Sequence, residues 1–218
     1  MIKEDIHLHS NFSDGENSLE EMTKEAIKLG CAKIAFTDHV RKETNWIKEY
    51  LKEIKRLKIK YKGNIKILAG IEASVINLSG DVDSPDNLPK GINFILGSFH
   101  RLPKRERIYF EPEEILADKK KALERWYLLM LNLLKNPLVK IIAHPTSLLD
   151  KYAIVLPEKL KQKISENAKL NNKIFEINLK YNCPDKEFIS ILQKNKVKLV
   201  YGSDSHSIEQ FQQLHSKY

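Results

Sequence analysis

Seven short runs of apolar, β-prone residues recur along the chain at 5–8, 33–37, 65–69, 93–97, 139–143, 174–177 and 198–201. Longer stretches with helical periodicity lie between them, at 18–29, 44–61, 112–134, 157–171 and 185–195. This alternation predicts an α/β fold with a mainly parallel sheet, because a parallel pair needs a crossover long enough to hold a helix. Local signals agree: Ser18 and Glu21 have capping-box spacing, Gly30 suits a helix C-terminus, and Pro112 and Pro157 suit first turns. No glycine-rich phosphate loop follows the first run, which argues against a dinucleotide-binding sheet. Seven strands point to a distorted or incompletely closed (βα)7 barrel, TIM-barrel-like. Residues 75–89, with Gly80 and several aspartates, read as an irregular excursion containing a small hairpin.

The 218 residues are expected to form one domain spanning 1–218. A charged fraction of 30% beside a hydrophobic fraction of 42% is that of a globular chain able to hold buried polar groups. No stretch approaches the ~20 apolar residues of a membrane span, and the first ten residues lack a signal-peptide core. Cys31 and Cys183 are the only cysteines, too few for a disulfide framework or a thiolate metal site. A cytoplasmic location is the expectation. The net charge of +8 comes mostly from dispersed lysines. A solvated surface explains it, and a nucleic-acid partner stays open.

Six of the seven histidines fall at or just beyond strand ends: His7 and His9, then His39, His100, His144 and His206. Asp14, Glu72 and Asp204 are interleaved with them, and His215 alone lies outside the pattern, in the final helix. In a βα barrel all strand C-termini open on one face, so these nine residues converge on a single mouth. Residues i and i+2 of an extended strand share a side, so His7 and His9 can grip one ion, and Asp204 and His206 repeat the spacing. Imidazoles and carboxylates without thiolates suit zinc, manganese or iron. Nine ligands exceed the needs of one ion and fit two or three, with Glu72 as the candidate bridge.

These residues resemble the PHP superfamily, named for polymerase and histidinol phosphatase. Asp5 to Ser10 with Phe12 to Gly15, Phe36 to His39, Gly70 to Glu72, Gly97 to His100, Ala143 to Pro145 and Gly202 to His206 are similar to its motifs, in their order. The resemblance implies a trinuclear site in a distorted seven-stranded barrel. His7, His9, Glu72 and Asp204 would hold one ion. Glu72, His100 and His144 would hold a second, and Asp14, His39 and His206 a third. Some members carry histidine where Asp14 stands.

The reaction expected is hydrolysis of a phosphate ester by metal-activated water, since metal contact lowers the pKa of water from about 16 towards ~7. No serine or cysteine nucleophile is needed. Arg101, at the head of the basic run 101–107, is the candidate contact for substrate phosphate, although a solvated loop explains the run equally well. Glu176, Asn178 and Asp38 are candidates for orienting ligand histidines, and Asp38 equally for capping a loop. A small phosphomonoester is the leading substrate, with histidinol phosphate as precedent. The alternatives are exonuclease-type cleavage of nucleic acid, as in the PHP domains of X-family DNA polymerases, and a metal-stabilised regulatory or partner-binding module that is not an enzyme. Oligomeric state is not legible.

Overall fold

The structure is a computed structural model and describes residues 3–217. Its first half runs β1 (Glu4–Leu8), α1 (Leu19–Lys28), β2 (Lys33–Phe36), β3 (His39–Val40), α2 (Ile47–Lys60), β4 (Lys66–Ser74) and β5 (Phe94–Ser98). A hairpin of β6 (Pro103–Arg105) and β7 (Ile108–Tyr109) follows, then α3 (Pro112–Ala117) and α4 (Lys119–Lys135). The rest is β8 (Ile141–Ile142), α5 (Ser147–Lys151), α6 (Glu158–Leu170), β9 (Ile174–Asn178), α7 (Lys186–Lys194), β10 (Lys198–Gly202) and α8 (Ile208–Ser216).

The main sheet runs β1-β2-β4-β5-β8-β9-β10 with every pairing parallel, and β3 lies beside the second half of β4. β2 and β3 act as one strand interrupted at Thr37 and Asp38, so seven strands form a nearly closed barrel. The two ends of the path meet at a seam, where Asp204 N donates to His7 O (2.8 Å) and His9 N to Ser205 O (3.0 Å). Ile6, Ala35, Leu96, Ile141 and Ala143 fill the barrel interior. Larger clusters, one centred on α4 with Trp126 and one between α1, α2 and the first strands, seal helices to sheet. A register shift between Asp5 and Leu8 breaks the β1–β2 ladder. Such bulges re-aim side chains. Here Ile6 packs in the interior while His7 and His9 face the mouth.

The expected barrel is present, with local differences. β4 runs five residues past the expected end, to Ser74, because its partner changes from β2 to β3 and β5 halfway along. Glu72 therefore sits inside a strand, whose backbone is held on both sides. The helical stretch 112–134 breaks at Asp118, which ends α3 and caps α4 by accepting from Lys121 N. Pro112 opens α3 as expected, whereas Pro157 stands at the N-cap of α6. Residues 75–89 contain a turn through Gly80 and one antiparallel bridge, Val75–Val82. The paired hairpin is instead β6–β7, which begins in the arginine run, carries a register shift between Pro103 and Arg105, and turns through Arg107 with φ 52°. Among the described residues no helix is long and apolar enough to cross a membrane.

Candidate metal centre

All nine expected ligands meet at the C-terminal mouth of the barrel, and Glu72 stands at their centre. Its Oε2 lies 3.2 Å from His7 Nε2, 3.4 Å from His9 Nε2 and 3.0 Å from His39 Nδ1. Its Oε1 lies 3.2 Å from His100 Nε2 and 3.0 Å from His144 Nε2. Asp204 Oδ1 is 3.1 Å from His9 Nε2. Asp14 faces His206 Nε2 at 3.5 Å and His39 Nε2 at 3.6 Å. The floor of the site, His7, His9 and Glu72, is fully buried, while Asp14 and His100 form an open rim. Donor atoms cluster as His9, Asp14, His39 and His206; as His7, His9 and Asp204; and as His39, Glu72 and His100.

The donor set fits divalent cations on its own chemistry. His7 Nε2 and His9 Nε2 face each other at 3.1 Å. Two imidazole nitrogens at that separation need a proton or a cation between or beside them. His9 Nδ1 is buried without a hydrogen-bond partner and points at Asp14, 3.9 Å away. A buried unsatisfied nitrogen normally costs about 1–3 kcal/mol, and one that faces Asp14 in a group with His39 and His206 fits a cation. His144 (φ 27°) and Asp204 (φ 54°) lie in the left-handed region, a conformation that clusters at functional sites.

Electrostatics sharpen the contrast. Burial disfavours charge on His7, yet Glu176, Glu72 and Asp204 outweigh it and hold its pKa well above the ordinary value. Burial and the neighbouring His7 and His39 hold His9 down at about 3. Burial also works against ionised Glu72 and Asp204, but the surrounding imidazoles keep both well below the usual carboxylate range. Glu72 and Asp204 are thus ionised and His9 neutral, the forms that bind metal, whereas the same carboxylates favour a proton on His7 that a bound cation would displace.

A second layer fixes the rings. His7 Nδ1 bonds Glu176 Oε1 at 2.8 Å, and the other Glu176 oxygen accepts from His144 N. Asn178 Nδ2 donates to Glu176 at 3.2 Å. His100 Nδ1 bonds Ser74 Oγ (2.7 Å), His144 Nδ1 bonds Ser147 Oγ (3.0 Å), and His206 Nδ1 bonds the Asp204 carbonyl (3.0 Å). In each, Nε2 is left facing the cluster. Asp38 proves to be a loop cap: it accepts from Ser10 N, Ser10 Oγ and Ser13 Oγ, and burial lifts its pKa to about 6.

Beside the cluster opens a cleft of about 880 Å³, lined by Phe12, Arg41, Trp46, Arg101 and Tyr109 along with Asp14, His39 and His100. Arg101 is exposed, stacks on Tyr109 at 4.5 Å and approaches Glu111 at 3.6 Å. A depression of about 690 Å³ beside the end of α4 adjoins the cleft at Asp83 and Arg107 and touches none of the nine candidate ligands. Sequence reasoning missed Lys180, whose Nζ lies 3.3 Å from Asp204 Oδ2, and Tyr181, edge-on to His144 at 5.4 Å. Both follow β9, whose end offered Glu176 and Asn178 as supporting residues but no candidate ligand. It also missed Ser74 and Ser147, since a serine carries no such signal.

Comparison with known proteins agrees with this geometry. The chain is 33% identical over 210 residues to a protein of Acetivibrio thermocellus named "Probable phosphatase", covering 93% of this chain and 78% of the relative. It is 31% identical over 218 residues to the DNA polymerase/3'-5' exonuclease PolX of Bacillus subtilis, covering 96% of this chain but 35% of that much longer one. Among solved structures it matches histidinol phosphate phosphatase from Lactococcus lactis, complexed with zinc, L-histidinol and phosphate, with TM-score 0.68 and 22% identity over 99% and 93% of the two chains. A Listeria monocytogenes structure matches with TM-score 0.75 and 17% identity over 99% and 100%. At such identities the likeness is one of fold. A family model of the PHP domain covers residues 5–180, and the chain belongs to that family.

Proposed function

We propose that this chain is a metal-dependent phosphoesterase that hydrolyses a small phosphomonoester. The observation that carries the reading is the convergence of six histidines with Asp14, Glu72 and Asp204 at one mouth, with His9 Nδ1 left unpaired inside the cluster. Family membership and the phosphatase names of relatives support it.

In this reading two or three divalent ions, zinc, manganese or iron, occupy the mouth. His7, His9, Glu72 and Asp204 would hold one, Glu72, His100 and His144 a second, and Asp14, His39 and His206 a third. When bound, such ions supply positive charge to phosphoryl oxygens and acidify a water to serve as nucleophile. The chain's own residues do the rest. Glu176, Ser74 and Ser147 hold the His7, His100 and His144 rings so that each Nε2 faces inward. The buried floor keeps bulk water from the inner ligands, and the open rim at Asp14 and His100 admits substrate. Arg101, in the adjoining cleft, meets the substrate phosphate or its leaving group, and Lys180 adds positive charge beside Asp204.

The relative that is a polymerase and exonuclease motivates one rival, cleavage of nucleic acid. Phosphate release from small monoesters and shortening of a labelled single-stranded oligonucleotide, measured in parallel with manganese or zinc, separate the two. Monoester turnover with an intact oligonucleotide is the expected result. Oligonucleotide shortening without monoester turnover would move the chain to the nuclease reading.

A further inference from the structure

His215 is the one histidine that the metal cluster does not use. It projects from α8 into the protein, 4% exposed, with its ring 4.3 Å from that of Phe211. Its Nε2 lies 2.9 Å from Asp5 Oδ2. An ionised carboxylate can only accept, so Nε2 carries the hydrogen. Its Nδ1 lies 3.8 Å from Cys31 Sγ.

Asp5 is fully buried, and its second oxygen works on two strands at once. Oδ1 accepts from His7 N at 3.1 Å and from Ser203 N at 3.0 Å. Those two amides stand on opposite sides of the barrel seam. Each leads directly into ligands: His7 and His9 on one side, Asp204 and His206 on the other. β1 and β10 are the two ends of the hydrogen-bonded path, so no regular ladder aligns them. The alignment rests on the two main-chain bonds between His7, His9, Asp204 and Ser205, and on the Asp5 side chain one step below.

We infer that His215 is a positioning residue of the metal centre: by holding Asp5, it sets β1 against β10 and so the approach of Asp204 to His7 and His9. The inference rests on the metal-centre reading given above. A simple anchor for α8 does not require this pair, because Phe211 and Leu214 already bury apolar surface from the same helix. A buried carboxylate–imidazole pair is a costly way to fasten a helix, since both groups lose their hydration. Its geometry has a use only if the other Asp5 oxygen must stay fixed between the two amides.

Calorimetric titration of metal-stripped protein with Mn²⁺ tests the inference, with thermal melting recorded for each variant. His215→Leu fills the space but leaves Asp5 Oδ2 unpaired, and is expected to weaken Mn²⁺ binding by roughly 10–100-fold, as loss of an outer-shell partner does. His215→Gln keeps an N–H for Asp5 and should recover most of the affinity. Leu214→Ala should lower the melting temperature with little change in affinity. Should His215→Leu fail to fold, His215→Asn, too short to reach Asp5, replaces it. Unchanged Mn²⁺ affinity in the His215 variant, or equal weakening by Leu214→Ala, would overturn the inference while leaving the metal centre intact. Wild-type protein that takes up neither Mn²⁺ nor Zn²⁺ would instead overturn the metal-centre reading itself.

Discussion

Glu176 Oε1 lies 2.8 Å from Nδ1 of His7, although 169 positions separate the two residues in the chain. Both side chains are fully buried. The carboxylate fixes the imidazole with its hydrogen on Nδ1 and its Nε2 lone pair on the ligand cluster, and it makes that nitrogen a stronger donor. Glu176→Gln preserves shape and removes the charge. It is expected to weaken metal affinity by roughly 10–100-fold while the protein stays folded. Titration with Zn²⁺ or Mn²⁺, alongside circular dichroism, checks this, and wild-type affinity would remove Glu176 from the site.

Gly202 makes room for that pair. A Cβ built at this position would lie 2.6 Å from the Cβ of His7 and would collide with Glu176 Oε1. Gly202→Ala must therefore push the carboxylate off the ring or shift β10 against β1. Metal affinity is expected to fall at least as far as in Glu176→Gln, with a lower melting temperature as well. A variant with unaltered affinity would show that the Glu176 contact is dispensable.

Arg101 is exposed and stacked on Tyr109, so the substrate-phosphate contact proposed for it would be solvent-screened and weak. At about 1 kcal/mol, its loss in Arg101→Ala should raise KM about fivefold and leave kcat nearly unchanged. Steady-state kinetics on a phosphomonoester decide the point. An unaltered KM would return the arginine run to the role of a solvated hairpin.

Tyr50 ties strand to strand beneath the mouth. Its hydroxyl, fully buried, lies 2.7 Å from Phe36 O and 2.9 Å from Gly70 O, on β2 and β4. One hydrogen serves both carbonyls, and Tyr50→Phe leaves both without it. The expected cost is about 1–3 kcal/mol, which for a chain of this length lowers the melting temperature by roughly 2–4 °C per kcal/mol. Calorimetry of the two proteins measures it; identical melting temperatures would contradict the assignment.

The convergence of the nine candidate residues was legible because each sits next to a local signal. His7 and His9 show the i, i+2 spacing of a strand, and a barrel sends every strand end to the same face. What surrounds them was not legible, because it is built from contacts between distant positions. Ser74 and Ser147 become partners of His100 and His144 only once β4 is extended and α5 has formed. β4 itself outran its apolar run because its pairing changes along its length, a property of its neighbours. Asp5 lies inside the first motif, yet the sequence offers no trace of its bond to His215, 210 residues away. Lys180 follows the one barrel strand whose end carries no candidate ligand, and a lysine among many dispersed lysines carries no signal of its own.

The central claim is that the cluster around Glu72 is a metal centre on which phosphate-ester hydrolysis depends. The most direct test follows phosphate release from a small monoester by protein stripped with chelator, before and after return of Mn²⁺ or Zn²⁺, in wild type and in His9→Ala and Asp204→Ala. Stripped wild type should be silent and regain turnover with metal, and neither variant should recover although both melt cooperatively. Full turnover by stripped protein, or recovery of either variant at matched metal content, would contradict the account.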